Sequence, residues 1–309
     1  MELFKKNRPL YVLAPLAGYT DLPFRSVVKR FGADLTISEM ISSNALAYGA
    51  KKSLKMLEKS PDEVPYSVQI SGSNVEIVKK AVEFLNTREG IDIIDLNAGC
   101  PAPKVVRGGS GSALLKNLEL LEKIVRTIKE TSNKSLTSVK VRIGFDSKIP
   151  VEIGKAVEAG GADFIAVHGR TRSGGFKSEV DYQAIADIKS SISIPVIANG
   201  DITDYQKAKY VLNETGADGI MIGRGAVGNP WIFHQLQTGS EMVDGNLKKK
   251  IILEHLKLMV QFYEERGVIL FRKHLHTYSK GIEGASQFRN LVNTTEKYEE
   301  MRKLIEEYF

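Results

Sequence analysis

Residues 159–168, Ala159-Gly160-Gly161-Ala162-Asp163-Phe164-Ile165-Ala166-Val167-His168, compress the unit from which this chain is built. A helical stretch closes on glycine, an apolar run without polar alternation follows, and the run ends in a polar side chain. Glycine at such a joint fits a left-handed helix cap, and an unbroken apolar run is the pattern of a strand buried on both faces. The joint recurs as Phe31-Gly32-Ala33-Asp34 and Thr215-Gly216-Ala217-Asp218. Working outward, strands are predicted at residues 11–14, 35–38, 66–70, 92–96, 137–141, 163–167, 195–198 and 218–222. Amphipathic stretches at 75–86, 118–131, 149–159, 180–190 and 203–215 lie between them. Strand and helix in regular alternation read as repeated βα units, and eight of them predict an α/β fold of the (β/α)8 TIM-barrel type. Active sites of such barrels lie at the carboxyl ends of the strands. Here those ends carry Ala14-Pro15-Leu16-Ala17, Ser38-Glu39, Gln69, Asn97, Lys140, His168, Asn199-Gly200-Asp201 and Gly223-Arg224.

Beyond Trp231 the pattern changes to helical periods only: 248–266 stopped by Gly267, 268–280 stopped by Gly281, 286–293 and 295–309. The polar, glycine-bearing stretch 239–246 reads as a linker. The expected organisation is a catalytic barrel over 1–238 and a small C-terminal α-helical bundle over 239–309. A barrel of ~250 residues plus a short appendage accounts for 309 residues. The net charge of +6 and pI near 9.1 favour a polyanionic partner. The one cysteine, Cys100, leaves no disulfide framework within a chain. No run approaches the ~20 apolar residues of a membrane span and the start lacks a signal-peptide pattern, so a cytoplasmic protein is expected, with no membrane association.

Each candidate site residue admits a functional and a structural reading. The Asn199-Gly200-Asp201 and Gly223-Arg224-Gly225 turns follow the seventh and eighth strands, where barrels commonly bind phosphate: glycine admits close backbone approach and Arg224 adds a guanidinium. Otherwise they are ordinary tight turns. Lys140, inside Val139-Lys140-Val141-Arg142, needs an anionic partner if buried. It would stabilise a reduced flavin, form a Schiff base with a carbonyl substrate, or pair with a carboxylate such as Glu39. His168, followed by Gly169-Arg170-Thr171-Arg172, reads as a binder of an anionic or carbonyl-bearing ligand or as a structural histidine. No second ligand stands near it at metal spacing, so no metal is expected. Gly108-Gly109-Ser110-Gly111-Ser112 reads as a weak phosphate cradle or as a loop, flexible or lid-like. Cys100 lies just past a strand end. It is either an inert buried thiol or a proton donor to a carbanionic carbon.

Taken in order, Ala14-Pro15-Leu16-Ala17-Gly18-Tyr19-Thr20-Asp21, Gln69-Ile70-Ser71-Gly72, Asp95-Leu96-Asn97-Ala98-Gly99-Cys100-Pro101, Val139-Lys140-Val141-Arg142, His168-Gly169-Arg170-Thr171-Arg172, Asn199-Gly200-Asp201-Ile202 and Gly223-Arg224-Gly225-Ala226 resemble the tRNA-dihydrouridine synthases. The resemblance covers the whole chain and implies an FMN enzyme that uses NADPH to reduce uridine in tRNA to 5,6-dihydrouridine. It implies that Pro15, Leu16 and Ala17 pack on the flavin and that Gln69, Lys140 and His168 surround its ring. Asn199, Gly200, Asp201, Gly223 and Arg224 would hold its phosphate end. Hydride goes from flavin N5 to uracil C6 and Cys100 protonates C5, with Asn97 positioning the base or flavin and the uridine extruded from its stack. Lys104, Arg107, Arg142, Arg170 and Arg172 are candidates for guiding RNA phosphates. In the tail, Phe271-Arg272-Lys273-His274-Leu275 resembles the family's Arg-Lys-His helix, with Arg272 and Lys273 toward tRNA. Leu16, Tyr19, Ser71 and the 173–177 stretch depart from the common pattern. No obligate protein partner is expected. Two rivals stay open: an FMN barrel acting on a free pyrimidine, and a non-catalytic RNA-binding protein.

Overall fold

The computed structural model describes residues 2–5, 7–240 and 244–309; residues 241–243 of the expected linker lie outside the described residues. The strands are β1 (Leu10–Leu13), β2 (Leu35–Ile37), β3 (Ile41–Ser42), β4 (Tyr66–Ser71), β5 (Ile93–Ala98), β6 (Leu136–Arg142), β7 (Phe164–His168), β8 (Val196–Asn199) and β9 (Gly219–Ile222). Eight of them close a parallel barrel in the order β1-β2-β4-β5-β6-β7-β8-β9, with β9 returning to β1 through Leu10↔Gly219 to Leu13↔Ile222. The short β3 follows β2 along the same edge of β4, pairing Ile41 with Ile70 after β2 has paired Ile37 with Ser67. The break between them, residues 38–40, brings Met40 to the mouth.

Alternation along each strand sorts side chains into two layers. Tyr11, Leu13, Ile94, Leu96, Val139, Val141, Ile165 and Val167 pack outward against the helices. Leu10, Val12, Ile93, Leu136, Phe164, Ala166, Ile197 and Met221 fill the barrel interior. The amino-terminal segment closes the bottom, with Leu3 and Phe4 against that interior and the Phe4 ring 5.4 Å from Phe164. Continuing the inward parity toward the carboxyl ends gives Gln69, Asp95, Asn97, Lys140, Arg142, His168 and Asn199. The strands that bury the core therefore also aim the polar residues at the mouth.

Helix starts follow side-chain caps. Asn74 and Asn117 accept from the amides of Ile77 and Leu120, opening Val75–Asn86 and Leu118–Thr131 at the expected residues. The starts expected at 180 and 203 fall two residues early, because Asp181 and Asp204 cap Tyr182–Ser191 and Tyr205–Thr215 through Ala184 and Lys207. Each cap stabilises by about 1 kcal/mol. The left-handed joints occur where expected, at Gly32, Gly161 and Gly216.

The tail consists of helices Gly245–Tyr263, Arg266–Tyr278, Ala285–Thr294 and Tyr298–Tyr308. Its core, including Leu256, Phe271, Leu275, Phe288 and Ile305, is continuous with Val27 and Trp231 of the barrel. Gly267 does not stop the first tail helix. The chain turns at Glu264, in the left-handed region, and Gly267 lies inside the second helix. A Cβ there would stand 2.3 Å from the Met259 carbonyl oxygen, so glycine allows the close approach of the two helices. Among the described residues no helix is long and apolar enough to cross a membrane.

Candidate active site

A cavity of about 490 Å³ opens at the carboxyl ends of the strands, within the ~300–1,000 Å³ usual for small-molecule sites. Ala14, Pro15, Leu16 and Met221 give it an apolar floor. Gln69, Asn97, Cys100, Lys140, His168 and Asn199 give it polar walls, and Gly200, Asp201, Gly223 and Arg224 close one end. Ala17 and Arg142 line it as well. The structure thus gathers fourteen of the expected positions around one space.

The wall nearest Cys100 is a hydrogen-bonded chain with one polarity. Buried Asp95 accepts from the Ser138 hydroxyl at 2.6 Å and from Gln69 Nε2 at 2.7 Å. Gln69 Oε1 accepts from Asn97 Nδ2 at 2.8 Å, and Asn97 Oδ1 accepts from the backbone amides of Gly99 and Cys100 at 3.2 and 2.9 Å. An ionised carboxylate only accepts, and an amide N–H only donates. These two ends leave each intervening amide one orientation. Burial raises the Asp95 carboxyl to about 6, against the bonds from Ser138 and Gln69 and the charge of Lys140. No role had been expected for Asp95; its two-residue offset from Asn97 was the available signal.

Gly108–Ser112 is a buttress for this loop. Ser112 donates from its amide and its hydroxyl to the Cys100 carbonyl, at 3.0 and 2.9 Å. Gly111, at φ +62°, packs so closely that a Cβ would stand 2.8 Å from that same oxygen. Cys100 itself is half-buried and lines the cavity.

Lys140 Nζ donates to Asn199 Oδ1 at 3.0 Å, and Asn199 Nδ2 donates to the Met221 carbonyl at 2.7 Å. Of the partners expected for Lys140, the pairing with Glu39 is not made; Glu39 instead accepts from the Gly18 amide. Burial, then the charge of Arg142, lowers the Lys140 ammonium to about 8. His168 is lowered to about 2 by burial and by Lys140, Arg142, Arg170 and Arg224, so its imidazole is neutral. Asp201, at φ +46°, bridges Arg170 and Arg224, with Arg224 donating at 2.7 Å. Those two guanidiniums hold its carboxyl below its ordinary value. Phe176 covers the mouth, 4.6 Å from the Arg224 guanidinium and 6.0 Å from the His168 ring. The sequence had marked only that its stretch departs from the family pattern.

The basic residues separate into two sets. Arg142 and Arg170 are 2% and 4% exposed. Arg142 donates to the Gly99, Thr171 and Gly175 carbonyls, and Arg170 to the Ser178 carbonyl as well as Asp201. They tie mouth loops together rather than stand on an open surface. Lys104 and Arg107 are exposed at the rim, and Arg172 lies half-buried 5.0 Å above the Phe145 ring. In the tail Arg272 donates inward to the Thr295 carbonyl, while Lys273 lies 5.4 Å from the Tyr19 ring at the seam with the barrel.

The dihydrouridine synthase (Dus) family model matches residues 12–309. The chain belongs to the Dus family. A probable tRNA-dihydrouridine synthase of Helicobacter pylori is 53% identical over 305 residues, covering 98% of this chain and 93% of that protein. The tRNA-dihydrouridine synthase B of Pseudomonas syringae pv. tomato is 40% identical over 307 residues, covering 96% and 90%. Among solved structures, the old yellow enzyme homologue of Zymomonas mobilis (NCR) shares the fold at TM-score 0.53 and 14% identity, covering 78% of this chain and 94% of that one. TcOYE with pHBA shares it at TM-score 0.54 and 9% identity, covering 74% and 88%. The Dus match spans barrel and tail alike, so the helical bundle belongs to the family pattern and is not an unrelated appendage.

Proposed function

We propose that this Dus-family chain reduces uridine in tRNA to 5,6-dihydrouridine, with FMN as resident cofactor and NADPH as its reductant, in the cytoplasm. The single observation that carries the reading is the shared cavity: a thiol on a braced loop, a lysine ammonium, and an arginine-bearing glycine turn all open onto one space. The residues present suit FMN. Arg224 and the glycine-flanked amides offer donors to a phosphate, Gln69 and Lys140 offer donors to a polar ring edge, and Pro15, Leu16 and Ala17 offer an apolar face. Bound there, FMN would supply hydride from N5 to uracil C6.

The remaining steps belong to the chain. Lys140 holds positive charge beside the ring site. His168, neutral at any physiological pH, adds a hydrogen-bonding group without further charge. Asn97 fixes the loop so that the Cys100 thiol gives its proton to C5 as that carbon gains electron density. The tRNA uridine leaves its stack to reach the cavity. Residues 1–238 serve as the catalytic barrel and residues 239–309 as the tRNA-binding domain. Lys104, Arg172 and Lys273 meet RNA phosphate. Arg142 and Arg170 act on substrate from inside the mouth, and Arg272 through the tail's packing.

The test is Cys100→Ala on unmodified tRNA. Flavin content should stay at the wild-type level while dihydrouridine formation falls by about 10²-fold or more. Undiminished formation would remove the thiol from the mechanism. NADPH oxidation stimulated by free uracil and indifferent to tRNA would replace tRNA with a small pyrimidine as substrate.

A further inference from the structure

Away from the mouth, three titratable groups converge in the seam between barrel and tail. Asp21 caps the helix Leu22–Arg30 of the barrel; His255 lies in Gly245–Tyr263 and His274 in Arg266–Tyr278. All are buried, the two histidines completely and Asp21 at 3% exposure. One ligating atom from each lies within 4.8 Å of the others. The two imidazole rings are 4.6 Å apart, walled by Phe24 and Phe271.

Hydrogen bonding does not account for this cluster. His255 Nε2 and both nitrogens of His274 have no hydrogen-bond partner among the described residues. Leaving such groups unpaired costs about 1–3 kcal/mol each. His255 Nδ1 meets the Tyr278 hydroxyl at 3.1 Å; with Nδ1–H as the donor, that contact plays the outer role seen at ligating imidazoles and leaves Nε2 its lone pair. Asp21 supplies the one carboxylate of the set, which accepts its cap bond from the Phe24 amide at 3.2 Å and a further hydrogen bond from the Tyr263 side chain.

We propose that Asp21, His255 and His274 form a site for a divalent transition metal of the zinc class, which pins the helical tail to the barrel. Two imidazoles and a carboxylate are a zinc donor set, with a fourth position for water or another small ligand. Tetrahedral coordination needs donor atoms roughly 3.4 Å apart, so the widest separation closes by side-chain rotation on binding. The absence of a metal motif near His168 had argued against any metal. That reasoning could not reach a set whose members stand far apart in sequence and on three helices.

Flavin-loaded protein, dialysed against EDTA and then titrated with zinc chloride, provides the test. The expected result is about one zinc per chain by mass spectrometry, with Tm rising by roughly 5 °C at a hundredfold excess over Kd. His255→Gln and His274→Gln should lose both responses while keeping flavin per chain unchanged, the control for a folded barrel. Should a variant fail to fold, the wild-type stoichiometry and Tm response alone decide. Substoichiometric zinc in the wild type, zinc content unchanged in the double histidine variant, or a Tm indifferent to zinc would each overturn the site and leave the pair to packing or buried water.

Discussion

Substituting Gly111 by alanine perturbs the Cys100 loop without touching any group that would contact flavin. The residue sits at φ +62°, where an L side chain costs about 1–2 kcal/mol. Its Cβ would stand 2.8 Å from the Cys100 carbonyl oxygen and 3.2 Å from Cys100 Cβ. The first of these is a backbone atom that no rotamer change can move. Reaching ordinary contact requires the two segments to part by roughly 0.6 Å, and Asn97 and Ser112 hold the loop against that movement. A displacement of 1 Å at a reacting group costs about 10²-fold. The expected loss is therefore about 10-fold to 100-fold in the rate of uridine reduction, or roughly 1.4–2.7 kcal/mol of transition-state stabilisation. The assay is single-turnover oxidation of the reduced enzyme by unmodified tRNA, with flavin per chain measured on the same preparation. Ser112→Ala supplies the graded comparison: it removes the 2.9 Å hydroxyl bond and keeps the 3.0 Å amide bond to the same oxygen, for a loss of about threefold to tenfold. A Gly111→Ala enzyme that turns over within twofold of wild type would refute the idea that the 108–112 loop positions the thiol.

Three other outcomes follow from the geometry. Lys140, lowered to about 8 by burial, releases its proton in the folded state while an unfolded lysine keeps it to about 10.5. Stability of the flavin-free protein should thus rise between about pH 8 and 10.5 from this group, a slope that urea titrations should find missing in Lys140→Met. Glu63 is fully buried against Arg25 at 2.7 Å and also accepts from Thr36 and the Ser60 amide; Glu63→Ala should destabilise by about 3–5 kcal/mol in chemical denaturation, because it strands a buried guanidinium. A Cβ on Gly225 would stand 2.2 Å from the Ile202 carbonyl oxygen, so Gly225→Ala should deform the proposed phosphate turn and lower flavin affinity by about tenfold, read by fluorescence titration. Wild-type affinity in a folded variant would detach that turn from cofactor binding.

Much of the site was legible because barrel geometry maps chain order onto place. Once the carboxyl-terminal parts of the strands carry Gln69, Asn97, Lys140, His168 and Asn199, those inward residues and the turns that follow must meet at one mouth. Helix ends were less legible where a cap decides them: Asp181 and Asp204 shift two helices by two residues, and Glu264 rather than Gly267 turns the tail. Side-chain commitments were not legible at all. Arg142 and Arg170 read as guides for RNA phosphate, yet carbonyls and Asp201 occupy them inside the mouth. Gly108–Ser112 read as a cradle or a lid, yet Ser112 ties it to Cys100.

By itself, then, the sequence determined the layers, since apolar runs and periodic helices admit few arrangements, and it determined which residues would stand at the strand ends. Tertiary structure decided what those residues bond. Hydrogen-bond polarity through Asp95, Gln69 and Asn97, the shared claim of Arg170 and Arg224 on Asp201, and the meeting of Asp21 with His255 and His274 all depend on atoms approaching within a few ångströms across long chain separations. Periodicity fixes which face a side chain takes, but distance across the fold fixes its partner.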